Sequence, residues 1–363
     1  MRTLAVVLTV LGLCTFARAD IIVPGANGSD GAFNPTASTT IDLSLAPTAA
    51  WDSNSPTPGN GVYDPQKWAV VFHYTSVNIP ADVVVSFKNH VSQAPVVWLV
   101  SGDVLIAGTV DVGNGANRDP GPGGFRATGS GFTSAFGPGG STGAGGRGAY
   151  GTTPSIANSG QAYGNARIIP AIGGSGGDWN GSYNAVGVGG GAIVIVAKGS
   201  ISIQTPARIS AYPYMSYGSG GAIRLVADSV LGGGTLNASA AYGNDGRIRV
   251  EANTIDPALR MTPVGSGGRP GAAATLWPPE TAPSTRVVSV GGEAMPADPH
   301  AQFNAAADVF PDVLAAVMPV VIETKNVPTT ATVNLRIVSP GADAQMIKAT
   351  FTSGDANTAL WTA

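Results

Sequence analysis

Apolar and polar residues alternate in three segments of the chain that align with one another without gaps. The segments read AIVIVA at Ala192–Ala197, AIRLVA at Ala222–Ala227 and RIRVEA at Arg247–Ala252. The second, fourth and sixth residues are apolar in all three, whereas the third and fifth include Arg224, Arg249 and Glu251. Because successive side chains of a strand point to opposite faces, we predict strands with one buried face and one face that accepts charge.

The same pattern occurs further upstream. Val96–Ile106 aligns with Ile193–Ile203, with a glycine at the same corner in each, and the stretch 70–87 fits more loosely. Ile193 precedes Ile223 by 30 residues, and Ile223 precedes Ile248 by 25. Units of this length cannot bury an apolar face alone and stack to do so. We therefore predict a parallel β-helix, a solenoid, over residues 63–275, with residues 20–62 as an N-terminal capping segment.

A glycine-rich stretch separates the first clear coil from the second. Residues 113–190 contain too few apolar residues for a core of their own. We interpret them as a long surface excursion over the solenoid that isolated aromatic residues anchor: Phe125, Phe132, Phe136, Tyr150, Tyr163, Trp179 and Tyr183.

The repeat fades after Glu251, and a proline cluster at Pro278, Pro279 and Pro283 indicates a change of unit. Strand patterns follow at 286–290, 319–324, 331–338 and 345–351. They predict a small antiparallel β-sandwich-like domain over residues 276–363. The Ala-rich stretch 302–318 has the composition of a short helix, which Pro311 would interrupt.

Composition and the N-terminus indicate an exported all-β protein. The chain has 51 Gly, 27 Pro and 11% charged residues, which disfavours helix. Residues 1–19 combine Arg2, an apolar run and the motif Ala17-Arg18-Ala19, as in a secretory signal peptide, so we predict a secreted or cell-surface protein. A lipoprotein interpretation of Cys14 is disfavoured, because a large leucine precedes the cysteine.

Removal of this segment would take away the single cysteine and two arginines. It would leave 17 basic against 22 acidic residues, a balance that argues against nucleic-acid binding. The mature chain has no apolar stretch close to the roughly 20 residues of a membrane helix, so no transmembrane segment is expected.

Few residues suggest catalysis or metal binding. His73, His90 and His300 lie in unrelated segments without partners at metal-ligand spacing. The fragment Gly173–Trp179 fits the Gly-Gly-x-Gly-x-Asp pattern of calcium-binding β-rolls. Those sites form between successive copies and only one copy is present. We therefore predict no cofactor and no metal site, and calcium stays an open alternative.

The outward face of the aligned strands has two interpretations. The alignment places Arg224 beside Arg249 at about 4.8 Å, one strand spacing, with Arg247 and Glu251 flanking them. Either Glu251, Asp228 and solvent relieve the repulsion on a solvated face, or the face receives an anion such as a uronate or a sulfated glycan.

Tyrosines at the corners of the coils also have two interpretations. In the first interpretation the tyrosine rings form a platform for sugar rings, and in the second they pack under the glycine-rich excursion. These tyrosines are Tyr212, Tyr214, Tyr217 and Tyr242. The candidate ligand-binding residues from both features are Arg224, Arg247, Arg249, Glu251, Asp228, Tyr212 and Tyr242.

Three segments carry a family resemblance: Ser219–Ala227, Gly246–Ala252 and Pro95–Val104. Here the chain resembles glycine-rich secreted proteins of environmental bacteria, mostly uncharacterised, that are regarded as right-handed parallel β-helices of the pectin-lyase-like shape. The resemblance implies a right-handed parallel β-helix and brings no catalytic residues. Polysaccharide-cleaving enzymes of this shape cluster carboxylates beside a basic residue, and the outward positions here show no such cluster.

Two functions follow as expectations. The first is an exported, non-enzymatic β-solenoid that acts as a structural or adhesive protein of the cell surface or extracellular matrix and contacts glycans. The alternative is a polysaccharide lyase or glycoside hydrolase, with a site where residues 113–190 cross the coil near Arg224, Arg249 and Glu251. Two or more carboxylates converging on these arginines in an open groove would favour the enzyme.

Overall fold

The structure is a computed structural model that describes residues 21–114, 119–127, 134–178, 187–213, 217–299, 307–311, 317–339 and 342–363. Several predictions from the sequence lie outside these residues. They are the signal peptide at 1–19, Cys14, most of the stretch 302–318, and the side chains of Phe132, Trp179, Tyr183, Tyr214 and His300.

The described chain is built from β-strands. The strands up to residue 268 are β1 (Gly31–Phe33), β2 (Thr39–Asp42), β3 (Val62–Asp64), β4 (Ala69–Ile79), β5 (Val84–Lys88), β6 (Val96–Val100), β7 (Val104–Ile106), β8 (Thr109–Asp111), β9 (Ala192–Ala197), β10 (Ser200–Ile203), β11 (Arg208–Ser210), β12 (Ala222–Leu231), β13 (Thr235–Asn237), β14 (Arg247–Ile255), β15 (Arg260–Thr262) and β16 (Ser266–Gly268). Those after it are β17 (Ser284–Val290), β18 (Glu293–Ala294), β19 (Val320–Lys325), β20 (Asn334–Ile337), β21 (Gln345–Lys348), β22 (Thr350–Gly354) and β23 (Thr358–Thr362). A 3-10 turn, Leu43–Leu45, follows β2, and the side chain of its N-cap residue Asp42 accepts the N–H of Ser44. No helix in the described ranges is long and apolar enough to cross a membrane.

Strands β1–β16 form two sheets. The ten-stranded sheet has the order β10-β7-β4-β6-β9-β12-β14-β16, with β1 and β3 also paired to β4. The six-stranded sheet has the order β15-β13-β11-β8-β5-β2, and all of its pairs are parallel. The predicted alignment of the three segments is confirmed, because Ile193 pairs with Ile223 and Ile223 pairs with Ile248.

The predicted fold class, a right-handed parallel β-helix followed by an antiparallel sandwich, was wrong. The repeating segments form two parallel sheets of unequal size instead of a solenoid of uniform coils. The ten-stranded sheet also contains the antiparallel pair β3–β4, and β10 pairs with both β7 and β12. The units differ because β4, β12 and β14 run unbroken for 9 to 11 residues, whereas Gly102 and Gly199 divide the equivalent segments into β6–β7 and β9–β10.

The C-terminal part also differs from the predicted sandwich. Strands β18-β17-β19-β23-β22 form one antiparallel sheet, and β20 and β21 form a separate two-stranded sheet. A small cluster that includes Ile322, Ala359 and Trp361 is buried there. The indole N–H of Trp361 donates to the hydroxyl of Thr324 at 2.9 Å.

The main core contains the inward residues of both parallel sheets. The apolar positions of the aligned segments lie in it, together with large side chains such as Trp98, Phe72 and Phe87. The ring of Tyr74 stacks on that of Phe33 with the centroids 5.3 Å apart. This cluster excludes water without any disulfide, because its inward ladders are apolar along every strand.

A second apolar cluster lies on the outward side of the ten-stranded sheet. It includes Val71, Val97 and Val194 from the sheet, Tyr150 and Ile168 from the glycine-rich stretch, and Ala274 and Leu276. The half-buried Val23, Trp51 and Trp277 pack against it. Three distant segments of the chain therefore cover part of this face, for which the sequence offered two interpretations, a solvated surface or an anion-binding surface.

The glycine-rich stretch packs by its backbone. The N–H of Gly174 donates to Gly190 at 2.7 Å, and that of Gly190 donates to Ser219 at 3.0 Å. A Cβ on Gly190 would lie 1.9 Å from the carbonyl oxygen of Ala211. Backbone hydrogen bonds, with no room for a side chain at glycines such as Gly190, therefore help to hold this stretch against the parallel strands. The predicted anchor Tyr150 is fully buried, while Phe125 and Phe136 are half-buried.

His73 of β4 should make the fold sensitive to mild acid. Its side chain is fully buried, and burial lowers its pKa below the ordinary value while the nearby Asp30 opposes the shift. The folded protein then holds His73 neutral at a pH where the unfolded chain is protonated, so stability present above pH about 6.5 is lost as the pH falls below it. We expect His73→Leu to flatten the pH dependence of the urea midpoint between pH 7 and 5. Equal slopes in both proteins would contradict this assignment.

Candidate functional site

The outward side of the six-stranded sheet is a polar surface. Strands β8, β11, β13 and β15 direct Val110, Ile209 and Leu236 into the main core, with Met261 packed against it. Because side chains alternate, the first and third residues of each strand face outward. Among these, Arg208, Arg260 and Thr262 are exposed, Thr109, Asp111, Thr235 and Asn237 are half-buried, and Ser210 is buried.

The parallel register arranges these outward residues in two straight rows. The first row runs Thr109, Arg208, Thr235, Arg260, and the second runs Asp111, Ser210, Asn237, Thr262. Neighbours within a row are about 4.8 Å apart, the spacing between paired strands. We call these eight residues the polar face.

Short polar side chains at the ends of the strands explain why the sequence folds this way locally. Asp111 accepts the N–H of Gly113 at 2.8 Å, and Asn237 accepts the N–H of Ser239 at 3.1 Å. Ser210 accepts the N–H of Tyr212 at 3.4 Å. Each side chain thus closes a turn two residues on, which ends three neighbouring strands at the same level.

A shallow cleft of about 350 Å³ lies on this face. Its lining residues are Asp111, Asn114, Arg208, Ser210, Tyr212 and Asn237. Burial raises the pKa of Asp111, and the hydrogen bond from Gly113 and the charge of Arg208 oppose that shift. The residues that line the cleft therefore include an acid, an arginine, two asparagines, a serine and a tyrosine.

The tyrosines predicted to form a sugar platform are divided. Tyr212 lines the cleft. Tyr217 and Tyr242 stack on each other with ring centroids 5.7 Å apart and an interplanar angle of 12°, and Tyr242 is 55% exposed. Tyr242 follows β13 in the chain as Tyr217 follows β11, so the stack lies at equivalent turns of neighbouring units.

The structure places Arg224, Arg249 and Glu251 together, but under cover. Arg224 is fully buried, and its guanidinium lies 3.0 Å from Oε1 of Glu251 and donates to the carbonyl of Thr275 at 2.8 Å. Arg249 donates to the same carboxylate oxygen at 3.3 Å. Burial lowers the pKa of Arg224, and its bond to Glu251 opposes that shift. Glu251 therefore relieves the repulsion between the two arginines.

The two remaining predicted residues have separate surroundings. Arg247 donates to the carbonyl of Tyr163 at 2.9 Å, and its guanidinium lies over the ring of Tyr150, 5.5 Å from the centroid. Asp228 accepts from the side-chain amide of Asn253 at 3.0 Å. The arginines thus take part in internal contacts between segments, and only Tyr212 among the seven candidates lines the cleft.

Sequence reasoning missed the residues of the polar face. The strands that carry them were recognised, since 108–112 and 207–211 occupy the same place in two aligned repeats. The outward residues of these strands differ from strand to strand, for example Asp111, Ser210 and Asn237. The same residue type therefore does not recur at the aligned outward positions. The available signal was position alone: polar residues on both sides of one inward apolar residue.

The calcium-type fragment has a structural role at its acidic residue. Asp178 is buried and accepts the N–H of Gly145 at 3.3 Å. Within the described residues, no three His, Cys, Asp or Glu side chains lie close enough together to hold a metal ion.

Comparisons with known proteins give no match. No family model, no curated protein and no solved structure is similar to the chain.

Proposed function

We propose that this is an exported, non-enzymatic structural or adhesive protein that binds polysaccharide through the polar face. Export is supported by the pattern of residues 1–19, a basic residue followed by an apolar run and a small-x-small motif. Binding is supported by the geometry of the six-stranded sheet. The expected cell surface or extracellular matrix is where such a ligand would be met.

The observation that carries the proposal is the straight, regular spacing of hydrogen-bonding side chains on the outward face of the sheet, where Arg208 and Arg260 are exposed. Thr109, Arg208, Thr235 and Arg260 repeat at one strand spacing, about 4.8 Å, which is comparable to the length of one sugar unit in an extended chain. A glycan lying across the strands would therefore meet a hydrogen-bonding side chain at each sugar, with threonine and arginine in alternation.

The cleft supplies the chemistry that sugar binding needs. Asn237, Ser210 and Asp111 offer hydrogen-bond donors and acceptors for hydroxyl groups, and the ring of Tyr212 offers a flat apolar surface for the carbon side of a sugar ring. Open clefts on exposed sheets suit polymers, because the ligand extends beyond the contact.

The arginines named for the enzymatic alternative are poorly placed for substrate. Arg224 is fully buried, and the only carboxylate paired with it within the described chain, that of Glu251, also accepts from Arg249. Both arginines are therefore bound to one internal acid. We propose no catalytic role for them.

Tyr212→Ala tests the proposal. We expect it to weaken retention on the best-bound polysaccharide about tenfold, which corresponds to about 1.4 kcal/mol, because the flat apolar surface of the cleft is lost. The measurement is affinity electrophoresis of the mature protein against neutral and acidic polysaccharides, with release of reducing ends assayed in parallel. Phe351→Ala, an exposed aromatic residue of β22, is the matched control.

The results distinguish a polysaccharide-binding protein from a protein that does not bind and from an enzyme. Retention that falls for Tyr212→Ala and not for Phe351→Ala, without new reducing ends, supports the proposal. Failure to bind any polysaccharide, or equal loss in both variants, would remove it, and new chain ends would identify an enzyme.

A further inference from the structure

The polar face carries two arginines in the same row. Arg208 of β11 and Arg260 of β15 are both exposed, and the register places one strand, β13, between them. Their Cα atoms are thus separated by two strand spacings, roughly 10 Å. The residues that alternate with them in the row, Thr109 and Thr235, are neutral.

These arginines differ from Arg224, Arg247 and Arg249 because no internal carboxylate or carbonyl binds them within the described residues. Arg224 and Arg249 are paired with Glu251, and Arg247 donates to the carbonyl of Tyr163. Arg208 and Arg260 form no ion pair with a carboxylate of the described residues at 4.0 Å or less. Their guanidinium groups are available to bind an anion in two parallel hydrogen bonds.

The spacing selects among anionic ligands. In an extended polysaccharide whose successive sugars are turned over, every second sugar presents its substituent to the same side. The acidic groups on that side then repeat at two sugar lengths, which is comparable to the separation of Arg208 and Arg260. Single small anions gain nothing from this repeat, whereas a polymer engages both arginines at once.

One group on the polar face, the carboxylate of Asp111, would repel an anionic ligand. Asp111 lies in the cleft beside Arg208, and the protein as a whole is net negative, with 22 acidic against 19 basic residues. A general attraction of polyanions is therefore not expected. Any preference for acidic polymers must come from the local row, and removing the charge of Asp111 should strengthen it.

We infer that the polar face selects linear acidic polysaccharides, uronate-containing or sulfated, whose anionic groups pair with Arg208 and Arg260. The inference rests on the proposed function and specifies its ligand class. It requires no chemical step.

The experiment compares polygalacturonate, cellulose sulfate and a neutral galactan in affinity electrophoresis at low and high salt. We expect R208Q/R260Q to lose at least tenfold in retention by an acidic polymer and to keep its retention by the neutral one. R208K/R260K should retain a large part of the binding to acidic polymers.

Two further variants serve as controls. R269Q removes the charge of an exposed arginine outside the six-stranded sheet and should change retention little. D111N keeps an acceptor for the N–H of Gly113 and should raise acidic retention severalfold.

The outcomes separate this inference from the proposed function. If the neutral polymer binds and the arginine variants retain acidic polymers as the wild type does, the ligand class is wrong while the proposed function stands. Equal loss in R269Q would show an effect of net charge only and would overturn the inference. If no polymer binds, both fall. Retention of the wild type by only one of polygalacturonate and cellulose sulfate, with loss in R208Q/R260Q, supports the inference and identifies the anionic group as carboxylate or sulfate.

Discussion

Glu251→Ala is expected to lower the free energy of unfolding by about 3–5 kcal/mol, because it leaves a buried arginine without its partner. Arg224 is fully buried and Glu251 is 7% exposed, so solvent screens this pair little. The variant would keep the hydrogen bond from Arg224 to Thr275, which does not compensate a charge. Arg249, which shares the same oxygen, would lose its partner as well.

Urea denaturation of the wild type and the variant at pH 7 measures this loss. Glu280→Ala, which removes an exposed carboxylate, is the control and should change stability by less than about 0.5 kcal/mol. The double variant R224M/E251L removes both charges of the pair and should recover most of the loss, since a buried ion pair contributes little compared with apolar residues of similar size. A single variant as stable as the wild type would contradict the buried ion pair.

The outward charges show where sequence reasoning stopped. The register that brings Arg224 beside Arg249 follows from local alternation and was predicted correctly. The cover on this side of the sheet was not, because Thr275, which accepts from Arg224, and Trp51 and Tyr150 of the second apolar cluster come from segments far apart in the chain. No local pattern encodes a contact of that separation. A charged column therefore resembled a solvated face, although it is an internal contact in the fold.

The fold class failed for a related reason. Alternation of apolar residues predicts strands and their pairing, but it does not say whether each unit breaks at a corner. β12 runs straight through the position at which Gly199 separates β9 from β10, and nothing in the apolar column marks the difference. The antiparallel strand β3 was likewise hidden, since its three residues are too few to show a period.

The candidate site lay within reach of the sequence only in part. The inward residues Val110 and Ile209 could be aligned, and that alignment fixes which neighbours face outward. Recognising Arg208 and Arg260 as a pair needed the further pairing of β13 with β15, which lies beyond the clear repeat. Geometry, not residue type, therefore identifies the polar face.

Gly221→Ala is the second change with a large expected effect. A Cβ at this position would lie 1.8 Å from the carbonyl oxygen of Gly191 and 2.6 Å from the carbonyl carbon of Gly190. Both are backbone atoms of the neighbouring unit and cannot rotate away. Gly246 repeats the geometry, since its Cβ would lie 1.9 Å from the oxygen of Gly221. These glycines therefore set how closely successive units stack before β9, β12 and β14.

We expect Gly221→Ala to cost about 3 kcal/mol or more, at the upper end of overpacking effects, because the strands must separate and their hydrogen bonds lengthen. The bond from the N–H of Ala222 to Gly191, 2.9 Å in the structure, is the first affected. Gly267→Ala is the matched control, since its Cβ would meet atoms no closer than 3.9 Å. Alanine restricts the unfolded chain more than glycine does, so this control should leave the free energy of unfolding unchanged or raise it slightly. If the two variants have equal urea midpoints, close backbone contact does not govern the stacking of the units. The explanation of the high glycine content would then be wrong.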